Sequence, residues 1–172
     1  MAISHRPPSM KQGSPDDFQS PKKAIDCLLP FLNSGWIIWE PAAGKGNIVN
    51  ALSEKGFLVF GSDILSGYDF TSSVQPNIKF DCIITNPPYS LKEEFLKRCY
   101  ELGKPFALLM PLTGLESEAR QKLYRKYGIQ LIIPNKRFNF ETPSGGGSTA
   151  WFLTCWYTHG LNLPKDLNFV EI

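Results

Sequence analysis

Four consecutive residues, Asn86-Pro87-Pro88-Tyr89, carry the strongest chemical signal in this sequence. They directly follow an apolar segment, 80–85, whose pattern predicts a buried strand that the two prolines must end. The amino group of a purine is a poor nucleophile because its lone pair is delocalised into the ring. The Asn86 side-chain oxygen and the Pro87 carbonyl could accept hydrogen bonds from its two N–H groups. These bonds would turn the lone pair toward an electrophile. Tyr89 could stack on a flipped base, so the tetrapeptide predicts chemistry at such an amine.

A second segment, Glu40-Pro41-Ala42-Ala43-Gly44-Lys45-Gly46, joins a predicted buried strand at 36–39 to a predicted helix at 47–55. Its two glycines allow the backbone to approach a ligand closely and to turn sharply. The GxGxxG fingerprint is not satisfied, and Lys45 is not followed by Ser or Thr as a P-loop requires. Alone, the segment is compatible with an ordinary strand-to-helix turn.

Asp63 follows the next predicted strand, 57–60, about 20 residues after the glycine turn. An acid at this place can accept hydrogen bonds from ribose hydroxyls. It can also serve only as a turn former or helix cap. Together with the glycine turn, Asp63 favours a nucleoside cofactor.

These segments need a scaffold, and strands that alternate with helices supply one. We predict helices at 21–32 (with Ser20 as N-cap and Pro21 at the first position), 47–55, 91–102 and 116–127. We predict strands at 36–39, 57–60, 80–85, 106–110, 129–133 and 150–157, with irregular chain at 64–79 and a loop at 141–148. This pattern predicts an α/β fold with a mostly parallel sheet and helices on both faces. Glu40, Asp63 and Asn86 should then converge at the carboxyl edge, where such sheets bind ligands.

Composition is that of a globular protein of 172 residues, with 42% hydrophobic and 20% charged residues and a net charge of +2. We expect a flexible terminus at 1–15 and a single domain at 16–172, with no membrane span and no secretory signal. Four cysteines, far apart and never in a CxxC pair, argue against a metal site and a disulfide framework. A reducing, cytoplasmic location is the expectation.

The motifs resemble those of the S-adenosylmethionine-dependent N6-adenine methyltransferases, from about Phe18 to Tyr157. The resemblance implies a Rossmann-like class I methyltransferase fold with a seven-stranded sheet. It also implies that Asn86, Pro87, Pro88 and Tyr89 are catalytic, in an Asn-first form typical of adenine targets. The cofactor contacts that it implies are Ser20, Pro21, Glu40, Pro41, Ala42, Gly44, Gly46, Asp63, Ile64, Asp69, Phe70 and Asn86. Among them, Phe18-Gln19-Ser20-Pro21 resembles the motif at the methionine end, and Ile64 would pack on the cofactor adenine.

Two other classes share these features. Protein-glutamine N5 methyltransferases carry the same tetrapeptide after the cofactor motif, because a glutamine amide nitrogen poses the same lone-pair problem. They usually have an N-terminal helical domain, and few residues precede the cofactor motif here. A non-catalytic subunit that keeps the fold is disfavoured by the intact tetrapeptide.

The expected substrate is DNA rather than RNA, although an RNA adenine-N6 methyltransferase stays open. Lys136 and Arg137 follow a predicted strand and could bind phosphates. Phe138 and Phe140 could stack opposite Tyr89 or be buried in the core, and the sequence leaves both open. We expect no separate target-recognition domain, as in compact phage-encoded methyltransferases, which implies the cytoplasm of a bacterium or a phage-infected host. Specificity could then come from loops or from a partner subunit, and a homodimer is also open.

Overall fold

Strands and helices alternate along most of the chain. A computed structural model describes residues 20–72, 77–141, 147–149 and 152–172, so the predicted flexible terminus 1–15 and Phe18 and Gln19 lie outside the described residues. The helices are α1 (Lys22–Asp26), α2 (Asn47–Glu54), α3 (Lys92–Leu102) and α4 (Glu118–Tyr127). The strands are β1 (Ile37–Glu40), β2 (Leu58–Gly61), β3 (Cys82–Thr85), β4 (Phe106–Pro111), β5 (Gln130–Pro134), β6 (Asn139–Glu141), β7 (Gly147–Thr149), β8 (Thr154–His159) and β9 (Leu167–Val170). None of the described helices has the length and apolar character needed to cross a membrane.

Seven strands form one sheet in the order β2-β1-β3-β4-β8-β5-β9. β8 runs antiparallel to β4 and β5, and the other pairings in this sheet are parallel. The predicted mostly parallel, seven-stranded sheet is therefore confirmed. Glu40 lies opposite Gly61, and Trp39 lies opposite Ile83. The carboxyl ends of β2, β1 and β3 consequently lie side by side.

Helices cover both faces of this sheet, because successive side chains of a strand point to opposite faces. In β4, Ala107 and Leu109 belong to one core cluster, together with buried residues of α1 and α2. Leu108 and Met110 belong to a second cluster, together with buried residues of α3. Every residue of β4 is buried, as a central strand covered on both faces requires.

The first helix is shorter than the one predicted at 21–32. α1 ends at Asp26, and a 3-10 turn follows at Leu29–Phe31. Pro30 has no N–H to donate to the Asp26 carbonyl four residues earlier, so the α-helix cannot continue through it. The predicted N-cap, Ser20, is also wrong. Extended Pro21 occupies that position, and no side chain caps the helix.

The C-terminal third differs from prediction at three places. The predicted loop at 141–148 begins and ends within an antiparallel pair, β6 and β7, while residues 142–146 lie outside the described residues. The strand predicted at 150–157 is β8, which begins at Thr154; residues 150–151 also lie outside the described part. β9, which the sequence did not locate, pairs with β5 and is the seventh strand of the sheet.

Candidate active site

The glycine turn after β1 is built on left-handed backbone. Gly44 has φ of 50° and Gly46 has φ of 83°, a region that residues with a Cβ rarely adopt. Gly46 occupies the N-cap position of α2 and donates its N–H to the Ala43 carbonyl at 2.7 Å. Buried Pro41 leads into this turn. The two glycines therefore let the backbone of this loop approach a ligand closely at the end of β1.

Asp63 ties this loop to the end of β2. Its Oδ2 accepts the Gly44 N–H at 3.0 Å, and its Oδ1 accepts the Leu65 N–H at 2.9 Å. With Ser66 it forms a capping box around a 3-10 turn at Ile64–Ser66. Asp63 thus has the turn-forming role, and each carboxylate oxygen keeps a further lone pair for a ligand. Ile64, which follows Asp63, is 63% exposed, so its side chain is accessible to a ligand from solvent.

Glu40, the last residue of β1, is fully buried. Its Oε1 accepts the Ala42 N–H at 2.9 Å and the Thr85 hydroxyl at 2.5 Å. Its Oε2 is buried and has no hydrogen-bond partner among the described residues. Burial raises the pKa of the Glu40 carboxyl to about 8, against the lowering effect of the Thr85 and Ala42 hydrogen bonds. An orphaned buried oxygen is an atom that a polar group of a bound ligand would satisfy, so the residues here fit a cofactor site.

The predicted catalytic turn begins directly after β3. Asn86 is half-buried, Pro87 is buried, and Tyr89 opens a 3-10 turn at Tyr89–Leu91. Hydrogen bonds from the next residues hold the turn: the Leu91 N–H donates to the Pro88 carbonyl at 2.9 Å, and Lys92 Nζ donates to the Tyr89 carbonyl at 2.8 Å. The backbone of this turn is therefore fixed relative to α3.

Phe152 lies against Tyr89. The ring centroids are 5.9 Å apart and the ring planes are inclined by 62°. Phe152 is 37% exposed, and the neighbouring Leu153 carbonyl accepts the Leu112 N–H at 2.8 Å, which ties this segment to the end of β4. Tyr89 and Phe152 thus form a partly exposed aromatic pair beside Asn86.

Asp69 and Phe70, two neighbouring residues among the predicted cofactor contacts, have different surroundings. Asp69 is exposed and its Oδ1 accepts both the N–H and the hydroxyl of Thr71, which lowers the pKa of its carboxyl. Phe70 is only 4% exposed and packs between Trp39 and Phe95, at centroid distances of 5.1 and 4.7 Å. The Phe70 ring therefore fills the core beneath β1, and a cofactor contact of Phe70 stays a prediction.

Phe138 and Phe140 are core residues as well. Each is 2% exposed, and both belong to the cluster that contains α1 and α2. Two residues apart on an extended segment, they share one face and are buried together. This burial favours the core alternative for the pair over stacking opposite Tyr89.

Lys136 and Arg137 are exposed just beyond the carboxyl end of β5. β5 is parallel to β3 in the sheet but separated from it by β4 and β8. Three strand spacings of about 4.8 Å put the basic pair roughly 14 Å to the side of the Asn86 strand. The pair therefore lies on the predicted edge, at a distance suited to a phosphate rather than to the reacting base.

Ser20 and Pro21 precede α1, which packs with α2 in the same core cluster. Ser20 is 5% exposed, and its Oγ has no hydrogen-bond partner among the described residues. It is the second orphaned buried oxygen among the predicted cofactor contacts. No contact joins Ser20 to the glycine turn in the described hydrogen bonds.

Four residues of this edge escaped sequence reasoning: Gly61, Thr85, Lys92 and Phe152. A Cβ on Gly61 would lie 3.0 Å from Val49 Cγ2 and 3.3 Å from Ala43 Cβ, so a larger residue there would require these neighbours to shift by a few tenths of an ångström. Thr85 had a usable signal, since a hydroxyl at the end of a buried strand needs a partner. Phe152 had none, because its approach to Tyr89 depends on the long connection between β5 and β8.

Comparison with known proteins identifies the fold. No protein-family model matches the sequence, and no curated protein matches it. A Listeria monocytogenes protein assigned to the class I S-adenosylmethionine-dependent methyltransferases is similar with a TM-score of 0.59 and 15% identity, over 95% of this chain and 68% of its own. A Vibrio vulnificus YJ016 protein assigned as the modification subunit of a type I restriction enzyme gives 0.51 and 13% identity, over 90% of this chain and 47% of its own. The present chain thus spans about half of the Vibrio chain and has the Rossmann-like fold of class I methyltransferases.

Proposed function

We propose that this chain is an S-adenosylmethionine-dependent methyltransferase that methylates the N6 amine of adenine in nucleic acid, DNA rather than RNA. One observation carries the proposal: Asn86-Pro87-Pro88-Tyr89 follows β3 at the sheet edge where the glycine turn follows β1. The fold shared with class I methyltransferases supports the cofactor, and the similarity to a restriction-enzyme modification subunit supports a nucleic acid substrate.

Around the glycine turn, this chain offers the groups that a nucleoside cofactor needs. Each Asp63 carboxylate oxygen accepts one backbone N–H, from Gly44 or from Leu65, and has a further lone pair. These lone pairs would accept hydrogen bonds from the ribose hydroxyls. Ile64 offers an exposed apolar side chain to the adenine ring. Glu40 Oε2 and Ser20 Oγ, which have no hydrogen-bond partner among the described residues, would form hydrogen bonds with polar groups of the cofactor. When bound, S-adenosylmethionine supplies an electrophilic methyl group.

The catalytic turn would prepare the amine. The Asn86 side-chain oxygen and the Pro87 carbonyl would accept its two N–H groups, which favours a tetrahedral nitrogen with its lone pair directed at the methyl group. Pro88 and the Lys92 contact hold this geometry before the substrate arrives. Tyr89 would stack on the base, and Lys136 and Arg137 would bind phosphates of the same strand.

A side-by-side methyl-transfer assay tests the proposal. Labelled S-adenosylmethionine is offered to DNA, RNA and total protein, and the labelled nucleosides and amino acids are then separated. We expect N6-methyladenine in DNA, lost in Asn86→Ala and kept in the control Asn33→Ala, which changes an exposed residue just before β1. N6-methyladenine only in RNA would keep the chemistry and change the substrate. Label found only on protein glutamine would mean that the substrate is the side-chain amide of glutamine and not adenine.

A further inference from the structure

Thr85 connects the cofactor side of the candidate site to the catalytic side. It is the last residue of β3, it is fully buried, and it directly precedes Asn86. Its hydroxyl donates to Glu40 Oε1, the same oxygen that accepts the Ala42 N–H at the start of the glycine turn. One carboxyl oxygen therefore holds the ends of two neighbouring strands together.

The other oxygen of the same carboxyl is left for a ligand. Glu40 Oε2 is buried without a hydrogen-bond partner among the described residues, although Oε1 has two. Leaving a buried polar atom without a hydrogen bond is costly. A ligand that donates a hydrogen bond to Oε2 would remove this cost. A donor that bound at Oε2 would act on the carboxyl group that also holds Thr85.

We propose that Thr85 is a positioning residue that couples the binding of a cofactor donor group at Glu40 Oε2 to the placement of Asn86. The proposal rests on the cofactor site of the proposed function. A donor at Oε2 favours the carboxylate form of Glu40, and the hydroxyl of Thr85 then donates to a charged acceptor. Charge-assisted hydrogen bonds are shorter and stronger than neutral ones. The backbone at Thr85 and Asn86 is consequently held most firmly when the cofactor is present.

The proton balance of this step is defined by the surroundings of Glu40. Burial and, to a smaller extent, the charge of Asp63 raise the pKa of its carboxyl to about 8, while Thr85 and the Ala42 N–H lower it. Near pH 7 the ligand-free carboxyl is mostly protonated. When a donor binds at Oε2, the O–H bond of the carboxyl breaks, its electron pair stays on the carboxylate, and the proton goes to solvent.

Calorimetry of cofactor binding reads this proton without any turnover. S-adenosylmethionine is titrated into the full chain in two buffers of different ionisation enthalpy, between pH 6 and pH 9. We expect wild type to release about one proton more than Glu40→Gln near pH 7, because the amide has no proton to give. In Thr85→Val, which lacks the hydroxyl that favours the carboxylate, the release should persist to a pH on the order of one unit higher.

Turnover supplies the second readout. Thr85→Val should lower kcat for methyl transfer roughly 10- to 100-fold, because a displaced Asn86 costs rate rather than cofactor binding. The KM for S-adenosylmethionine should stay within about threefold of wild type. Thr85→Ser, which keeps the hydroxyl, should restore both the proton release and kcat. Circular dichroism establishes that the variants are folded.

The outcomes separate the two proposals. If Thr85→Val keeps both the proton profile and kcat, or if Thr85→Ser is as impaired as Thr85→Val, the coupling is absent while the methyltransferase function stands. If wild type binds the cofactor with the extra proton release but methylates neither nucleic acid nor protein, the function is wrong while the link between Glu40 and the cofactor stands. If wild type does not bind S-adenosylmethionine at all, both are wrong.

Discussion

The Gly44 N–H donates to Asp63 Oδ2 at 3.0 Å, across the gap between the loops that follow β1 and β2. This bond matters because Gly44 has a φ of 50° and, as a glycine, is otherwise free to adopt other backbone conformations. Asp63 is itself held by the Leu65 N–H and by Ser66. The acid expected to bind ribose is therefore also the group that shapes the loop expected to lie beside it.

Replacing Asp63 should accordingly weaken cofactor binding twice, through the lost ribose acceptor and through the loosened loop. We expect Asp63→Ala to raise the dissociation constant of S-adenosylmethionine roughly 10- to 100-fold, measured by calorimetry. Asp63→Asn keeps an acceptor for one backbone N–H and should fall between wild type and Asp63→Ala. Asp166→Ala, which changes an exposed aspartate just before β9, is the control. Unchanged affinity in Asp63→Ala would remove Asp63 from the site.

Glu40 should make the stability of the ligand-free protein depend on pH in an unusual direction. Its pKa is raised in the folded chain from about 4.5 to about 8, so the folded state binds the proton more tightly than the unfolded state. The resulting stabilisation is fully present below about pH 4.5 and is lost as the pH rises toward 8. Glu40→Gln has no such proton. Its free energy of unfolding relative to wild type should therefore increase with pH, by about 3–4 kcal/mol between pH 5 and pH 8.

Urea unfolding at pH 5, 6.5 and 8 measures this difference. Glu116→Gln, at an exposed glutamate, is the matched control for the loss of one carboxyl. A Glu40→Gln difference that does not change with pH would mean that the Glu40 carboxyl titrates in its ordinary range. The buried oxygen would then have found a partner that the described residues do not provide.

Gly61 leaves little room for a Cβ. Alanine there would place its methyl group 3.0 Å from Val49 Cγ2 and 3.3 Å from Ala43 Cβ, so these side chains of α2 and the glycine turn would have to shift by a few tenths of an ångström. We expect Gly61→Ala to destabilise the fold by about 1–3 kcal/mol in urea unfolding and to weaken cofactor binding. Gly35→Ala is the control, because the nearest atom to its added Cβ is Asn33 Oδ1 at an ordinary 3.5 Å. Equal behaviour of the two variants would show that the turn can shift at no cost.

Hydrophobic pattern was sufficient to predict the architecture of this chain, because its central strands are covered on both faces. Phe106 to Pro111 and Cys82 to Thr85 are buried at every position, and such short apolar runs between turn residues are typical of a parallel sheet. The strand ends followed from the same rule, which brought Glu40 and the residue before Asn86 into contact. β9 was not predicted because its apolar residues, Leu167 and Phe169, are exposed, whereas the polar residue between them, Asn168, is buried. This reverses the usual pattern of a strand, and it occurs here at the edge of the sheet.

Aromatic residues marked the limit of what the sequence could predict at the site. Phe70, Phe138 and Phe140 stand in or beside plausible motifs, yet all three fill the core. A phenylalanine that packs in a core and one that stacks on a base have the same local sequence, because both need only an apolar ring on extended chain. What distinguishes them is which helix covers the strand, and that depends on contacts between distant segments.

Phe152 lies beside Tyr89, and its replacement gives the last prediction. If the two rings, 5.9 Å apart, together receive the target base, then Phe152→Ala should weaken substrate binding more than cofactor binding. Loss of one stacking ring is worth about 1–3 kcal/mol, so the KM for DNA should rise roughly 5- to 100-fold while the dissociation constant of S-adenosylmethionine stays unchanged. Phe152→Tyr keeps a ring and should stay near wild type. Phe169→Ala, on the far edge strand β9 and 76% exposed, controls for the loss of a surface ring. A KM for DNA that does not move in Phe152→Ala would leave Tyr89 as the stacking residue on its own and make the Phe152 contact a packing contact.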